Sequence, residues 1–190
     1  RNDTVSPASQ GISDSINGFL CLSCKCLPCP RTGGHDVPGL YKVKGLVYIA
    51  ARAPEAGEDY PALTKKFPAA PVAAGLKWRD DGFGALSEQA FIHDFAGDLP
   101  ESEARAYYAV QQPMGKAITQ AKTSVAAWHS KPSWYAVSTE DHTINPDLQR
   151  FMAKRMHAQT IELKASHVSL ISQPQAVANL IMKAAHVPGY

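Results

Sequence analysis

Residues 131–174 read K-P-S-W-Y-A-V-S-T-E-D-H-T-I-N-P-D-L-Q-R-F-M-A-K-R-M-H-A-Q-T-I-E-L-K-A-S-H-V-S-L-I-S-Q-P. The run 133–139 after Pro132 is short, apolar and rich in aromatic and β-branched residues, as a buried strand requires. It stops at Glu140-Asp141-His142. Asn145-Pro146 then opens a helix with Leu148, Phe151, Met152, Arg155 and Met156 on one stripe. Residues 160–165 alternate and read as a second strand, followed by Ser166-His167. Gln173-Pro174 opens a last amphipathic helix, with Val177, Leu180, Ile181 and Ala184 facing inward. Strand–helix–strand–helix order implies a parallel sheet with right-handed crossovers.

Upstream, V-K-G-L-V-Y-I-A-A (43–51) is a third strand candidate, preceded by Pro38-Gly39 and ended by Arg52-Ala53-Pro54. Residues 54 to 130 read as helical segments with loops: Tyr60 to Phe67, Leu86 to Phe95, Glu101 to Gln112 and Ile118 to Trp128. Residues 1–39 differ from the rest. They are rich in Ser, Pro, Gly and Cys with little periodicity, and read as an atypical, irregular segment. The apolar stretch Phe19 to Leu22 is too short for a signal peptide's apolar region, and no basic start precedes it.

All four cysteines fall there, as Cys21, Cys24, Cys26 and Cys29. Structural zinc sites usually separate their two C-x-x-C pairs by about a dozen residues or more. Here only Lys25 separates them. A soft metal, two local disulfides or an accident of translated sequence all stay open, and no metal ligand is assigned. Residues 30–190 contain no cysteine, so the core depends on neither disulfides nor zinc.

The 190 residues are 45% hydrophobic and 19% charged, a globular balance that is wrong for disorder. A formal net charge of +2 argues against a strongly electrostatic nucleic-acid binder. No apolar run approaches the ~18 residues of a membrane span. The expected partner is a small molecule, with no nucleic acid, no membrane and no cofactor; a cytoplasmic location is the default expectation. The first residue is Arg, so the chain reads as processed or as a piece of a longer reading frame.

Functional groups in parallel sheets collect at the carboxyl ends of strands. Asp141 and His167 both stand there, 26 residues apart on consecutive strands. Adjacent strands would bring the two loops side by side. The carboxylate could then hold the imidazole in one tautomer and leave its other nitrogen free as a base. Either residue alone also fits a turn or packing role.

Residues 131–155 and 165–174 resemble the carboxyl-terminal part of α/β-hydrolase-fold enzymes, in particular a bacterial esterase-like branch similar to plant methylesterases and hydroxynitrile lyases. V-K-G-L-V-Y-I-A-A-R-A-P-E-A-G-E (43–58) resembles the strand leading into that family's cap, and F-I-H-D-F-A-G-D-L-P (91–100) and Q-Q-P (111–113) resemble the cap. The resemblance covers about residues 42 to 185. It implies an incomplete α/β-hydrolase fold over residues 40–190: a few parallel strands, flanking helices and a helical cap at about 52–130, with Phe91, Tyr107 and Trp128 as available pocket aromatics. It implies hydrolysis of a small-molecule ester or related acyl compound by a Ser–His–Asp triad, with Asp141 as the acid and His167 as the base. Lyase chemistry uses the same triad.

The family nucleophile is a serine in G-x-S-x-G, and no such motif occurs in these residues. The nearest similarity is Arg31-Thr32-Gly33-Gly34, with Arg31 where the serine belongs. Ser166 and Ser169 flank the histidine and Ser138 lies within a strand, so none presents its hydroxyl easily. Cys26 or Cys29 could serve only if the irregular segment folded back over His167. The nucleophile is therefore unassigned. A shifted frame or truncated gene would give residues 1 to 40 no part in the family fold and leave the 43–51 strand as an exposed, hydrophobic edge of a three-stranded sheet. The alternative function is a catalytically inactive fragment or small-molecule binding remnant.

Overall fold

The computed structural model describes residues 19–21 and 43–185. Arg31 to Gly34 and Cys24, Cys26 and Cys29 lie outside the described residues, as does most of the segment expected to be irregular. That expectation needs one correction: Phe19–Cys21 forms a strand, β1. It runs antiparallel to β2 (Leu46–Ile49), in the register Phe19 opposite Tyr48 and Cys21 opposite Leu46.

Chain order continues through the cap. Asp59 caps α1 (Tyr60–Thr64) by accepting from the Ala62 amide at 3.0 Å. Next come β3 (Leu76–Trp78), β4 (Phe83–Leu86) and α2 (Glu88–Ala90), which passes directly into a π-turn at Phe91–Phe95. Then follow α3 (Glu101–Ala109), β5 (Met114–Gly115) and α4 (Lys116–Gln120). The cap carries helices within the first three expected spans, but Leu86 ends β4, and Ile118 to Trp128 is helical only to Gln120, with a 3-10 turn at Ala127–His129. It also holds a small antiparallel sheet, in the order β3–β4–β5, that the sequence pattern does not announce. These strands are two to four residues long and lack an alternating pattern. Part of what holds them is non-local: the Gln111 side chain accepts from the Leu86 amide at 2.9 Å and donates to its carbonyl at 3.1 Å.

The main sheet is completed by β6 (Ser133–Ser138) and β7 (Gln159–Leu163), separated by α5 (Pro146–Arg155). The chain ends in α6 (Ser169–Ser172) and α7 (Pro174–Ala184). Sheet order is β1–β2–β6–β7, with β2, β6 and β7 parallel. The edge of β2 expected to be bare is therefore paired with β1.

Strand β6 is buried along its whole length because both faces are covered. Tyr135 and Val137 join Tyr48, Leu148 and Met152 in one core. Trp134 and Ala136 join Val47, Ile49, Val177 and Leu180 in the other, under α7. Tyr48 and Tyr135 are opposite in register and stack with centroids 5.9 Å apart. On β7, Glu162 turns outward and meets Arg150 of α5 through two bonds of 2.8 and 2.9 Å, which explains the alternation. Two of the expected inward residues of α5 differ. Phe151 is exposed and tilts against Phe67, and Arg155 leaves the core to bond Glu58. The buried position on that helix belongs instead to Gln149.

Candidate active site

The parallel pairing of β6 and β7 continues past their carboxyl ends. The Thr139 amide donates to the Leu163 carbonyl at 2.8 Å, and the Glu140 amide to the Ala165 carbonyl at 3.1 Å. Asp141 and His167 leave this edge side by side, as the sequence spacing anticipates. His167 Nδ1 lies 2.8 Å from Asp141 Oδ2. An ionised carboxylate can only accept, so Nδ1 donates to it, and in the neutral ring that tautomer leaves the lone pair on Nε2. Among the described residues, Nδ1 is the imidazole nitrogen with a hydrogen-bond partner.

The Asp141 side chain is fully buried, which a carboxylate tolerates only with its acceptor sites filled. Oδ1 accepts from the Thr143 and Ile144 amides at 2.6 and 3.0 Å. Oδ2 accepts from Gln149 Nε2 at 2.7 Å as well as from His167. Gln149 Nε2 also donates to the Ile144 carbonyl, and its Oε1 accepts from the Ser138 amide at 3.0 Å. Gln149 thus ties the last residue of β6, the loop and the carboxylate together. Sequence reasoning missed it, although a glutamine next to Leu148 on an apolar stripe was a visible signal.

The cap closes over this edge. The Val72 amide donates to the His142 carbonyl, Asn145 Nδ2 donates to the Pro68 carbonyl, and His142 Nδ1 lies 3.3 Å from Asp94. Phe91 is buried with Ile92, Ala96, Ala104 and Val168, while Phe95 is partly buried against them. Tyr60 is buried near Asp141 and Arg52. Burial pushes its phenol up to about 12, so it stays protonated at ordinary pH. Of the other expected pocket aromatics, Trp128 is buried in the core under α5, donating to the Pro54 carbonyl, and Tyr107 is exposed.

None of the serines weighed from sequence reaches the imidazole. Ser138 and Ser169 are buried with hydroxyls that have no partner among the described residues, and Ser166 is bonded into the cap. Among the described residues there is no group of three or more His, Cys, Asp or Glu able to hold a metal ion. No described helix is long and apolar enough to cross a membrane.

A separate concavity of about 340 Å³ lies at the carboxyl end of α5, lined by Glu55, Trp128, His129, Arg155, Met156 and His157. At 1.5 Å per residue, the ten-residue helix places it about 15 Å from the Asp141 loop. Glu55 meets His129 there at 2.9 Å, and Arg155 holds the Glu58 carboxyl below its usual range through hydrogen bonds of 2.8 Å.

The alpha/beta hydrolase family model matches residues 15–180. No curated protein matches the chain. Among solved structures, the chain is similar to polyneuridine aldehyde esterase (15% identity, TM-score 0.62, covering 77% of this chain and 64% of that one). It is also similar to a pyrethroid hydrolase from Sphingobium faniae JZ-2 (22%, TM-score 0.63, 77% and 62%). A third likeness is an extracellular alpha/beta-hydrolase from a Paenibacillus species, described as sharing homology with Tobacco Salicylic Acid Binding Protein 2 (22%, TM-score 0.57, 73% and 60%). At these identities the likeness carries the fold. The chain spans less than two thirds of the length of each of these structures.

Proposed function

Because the chain belongs to the alpha/beta hydrolase family, we propose that Asp141 and His167 are the acid and base of a Ser–His–Asp hydrolase site for a small-molecule ester, held in a chain that lacks the serine elbow. The observation that carries this reading is the 2.8 Å contact between His167 Nδ1 and a buried carboxylate at the carboxyl edge of a parallel sheet.

In the parent reaction a serine hydroxyl attacks the ester carbonyl. Its proton passes to His167 Nε2 and then to the leaving alcohol. Asp141 holds the ring and stabilises the imidazolium formed between the two transfers. With no G-x-S-x-G in the sequence, His167 has no hydroxyl of that kind to activate. A triad short of one member keeps only ~10³–10⁴-fold acceleration over water, from the oxyanion hole and binding.

The test is hydrolysis of an unactivated alkyl ester followed by pH-stat, for the chain and for His167→Ala. Activated aryl esters are unsuitable because a free imidazole attacks them. The expected result is a slow rate that is the same in both proteins. Turnover near the ~10 s⁻¹ of ordinary enzymes, abolished in His167→Ala, would reveal a nucleophile within the chain and overturn this reading.

The missing elbow motif favours a second reading, a small-molecule binding remnant. Saturable binding of an ester substrate without its consumption, read by calorimetry, separates that reading from simple inactivity.

A further inference from the structure

The imidazole of His167 is held from a second side, by the cap. The Phe95 ring lies 5.1 Å from the imidazole centroid at 50°. The Phe95 carbonyl lies 3.1 Å from Ser166 Oγ, and the same hydroxyl donates to the Asp98 carboxylate. Ser166 is only 3% exposed and immediately precedes the histidine. Val168, immediately after it, is buried among Phe91, Ile92, Ala96 and Ala104 of the cap. Both chain neighbours of His167 are therefore fixed to cap residues.

The π-turn sets this geometry. Its widened ring closes from the Ala96 amide to the Phe91 carbonyl at 2.9 Å. Gly97 then lets the chain turn back toward Ser166; a Cβ there would stand 2.5 Å from the His93 carbonyl oxygen.

We propose that Ser166, Asp98 and Phe95 form a latch through which the cap positions the His167 imidazole on Asp141. As a device for catalysis the latch rests on the acid–base reading above; as a holder of the ring it does not. Ser166 is then a positioning residue, which accounts for a buried hydroxyl beside the histidine that takes no part in attack.

The test is nitrogen NMR of the labelled full chain, observing the ring nitrogens and the Nδ1 proton of His167, with melting temperature read in parallel. In the wild type, Nδ1 is expected to carry a protected proton. Ser166→Ala and Asp98→Ala cut the latch from opposite ends. Each is expected to speed exchange of that proton about tenfold or more, the scale of one lost charge-assisted hydrogen bond, and to move the ring nitrogens toward a mixture of tautomers. Ser166→Thr keeps the hydroxyl and is expected to keep the wild-type signature.

If Ser166→Ala and Asp98→Ala lower only the melting temperature and leave the His167 signature unchanged, Ser166 is a structural tie and the proposal falls. If Ser166→Ala does not fold, Asp98→Ala decides the matter alone, since Asp98 is half-buried in the cap. No turnover is measured, so an inactive chain leaves the result readable.

Discussion

Gln149 is wholly buried and bonds three groups: the Ser138 amide, the Ile144 carbonyl and the Asp141 carboxylate. Replacing it with leucine fills similar volume but leaves a strand-end amide and a buried carboxylate short of partners. Such losses cost about 1–3 kcal/mol per group, more at a charge. Gln149→Leu is therefore expected to lower unfolding free energy by about 2–4 kcal/mol, read from the urea midpoint; a change under about 0.5 kcal/mol would refute the bridging role. The meeting of Asp141 and His167 was legible in sequence because both follow consecutive strands of one parallel sheet. Gln149 left a signal beside Leu148, but the α5 stripe was read from its apolar members and passed it over. Ser166 was legible as a neighbour of the histidine, but its bond to Asp98, 68 residues away, is purely tertiary.

Helix α5 shows how local chemistry and packing agree. Asn145 accepts from the Asp147 amide at 2.9 Å, and Pro146 sits where its missing amide costs nothing. At the other end His157 adopts φ 51°. The Ala158 amide donates to the Ala153 carbonyl and the His157 amide to the Lys154 carbonyl, both at 3.0 Å, which is a Schellman closure. Glycine is the residue that adopts this conformation without strain. His157→Gly is expected to stabilise the protein by about 1 kcal/mol, seen as a raised melting temperature; a lowered one would mean the exposed imidazole contributes more than its backbone costs. Helices α5 and α7 announced themselves through Asn-Pro and Gln-Pro starts. The cap strands did not: F-G-A-L at 83–86 carries a glycine and no alternation, and its partners lie outside any local window.

At the scale of the molecule, α5 and α7 cover opposite faces of one sheet, and the cap sits on its carboxyl edge. The two apolar strand runs and the helix periods made this layering readable. The pairing of β1 was not readable, because three residues in a Ser-, Cys- and Pro-rich segment carry no strand pattern. That three-residue strand pairs with β2 through few backbone bonds, so its fraying returns β2 to an unpaired, apolar edge open to association. The chain is expected to unfold over a broad, low-temperature range and to associate as concentration rises, as read by calorimetry and sedimentation. A sharp two-state melt of a monomer would show that the sheet is self-sufficient.

The central claim is that His167 and Asp141 are a base and its orienter with no activated hydroxyl in this chain. Its most direct measurement is intact mass after reaction with a fluorophosphonate, for the chain and for His167→Ala. The expected spectrum is unmodified protein in both. A stoichiometric adduct on the chain that disappears in His167→Ala would contradict the claim and, by its position, identify the nucleophile.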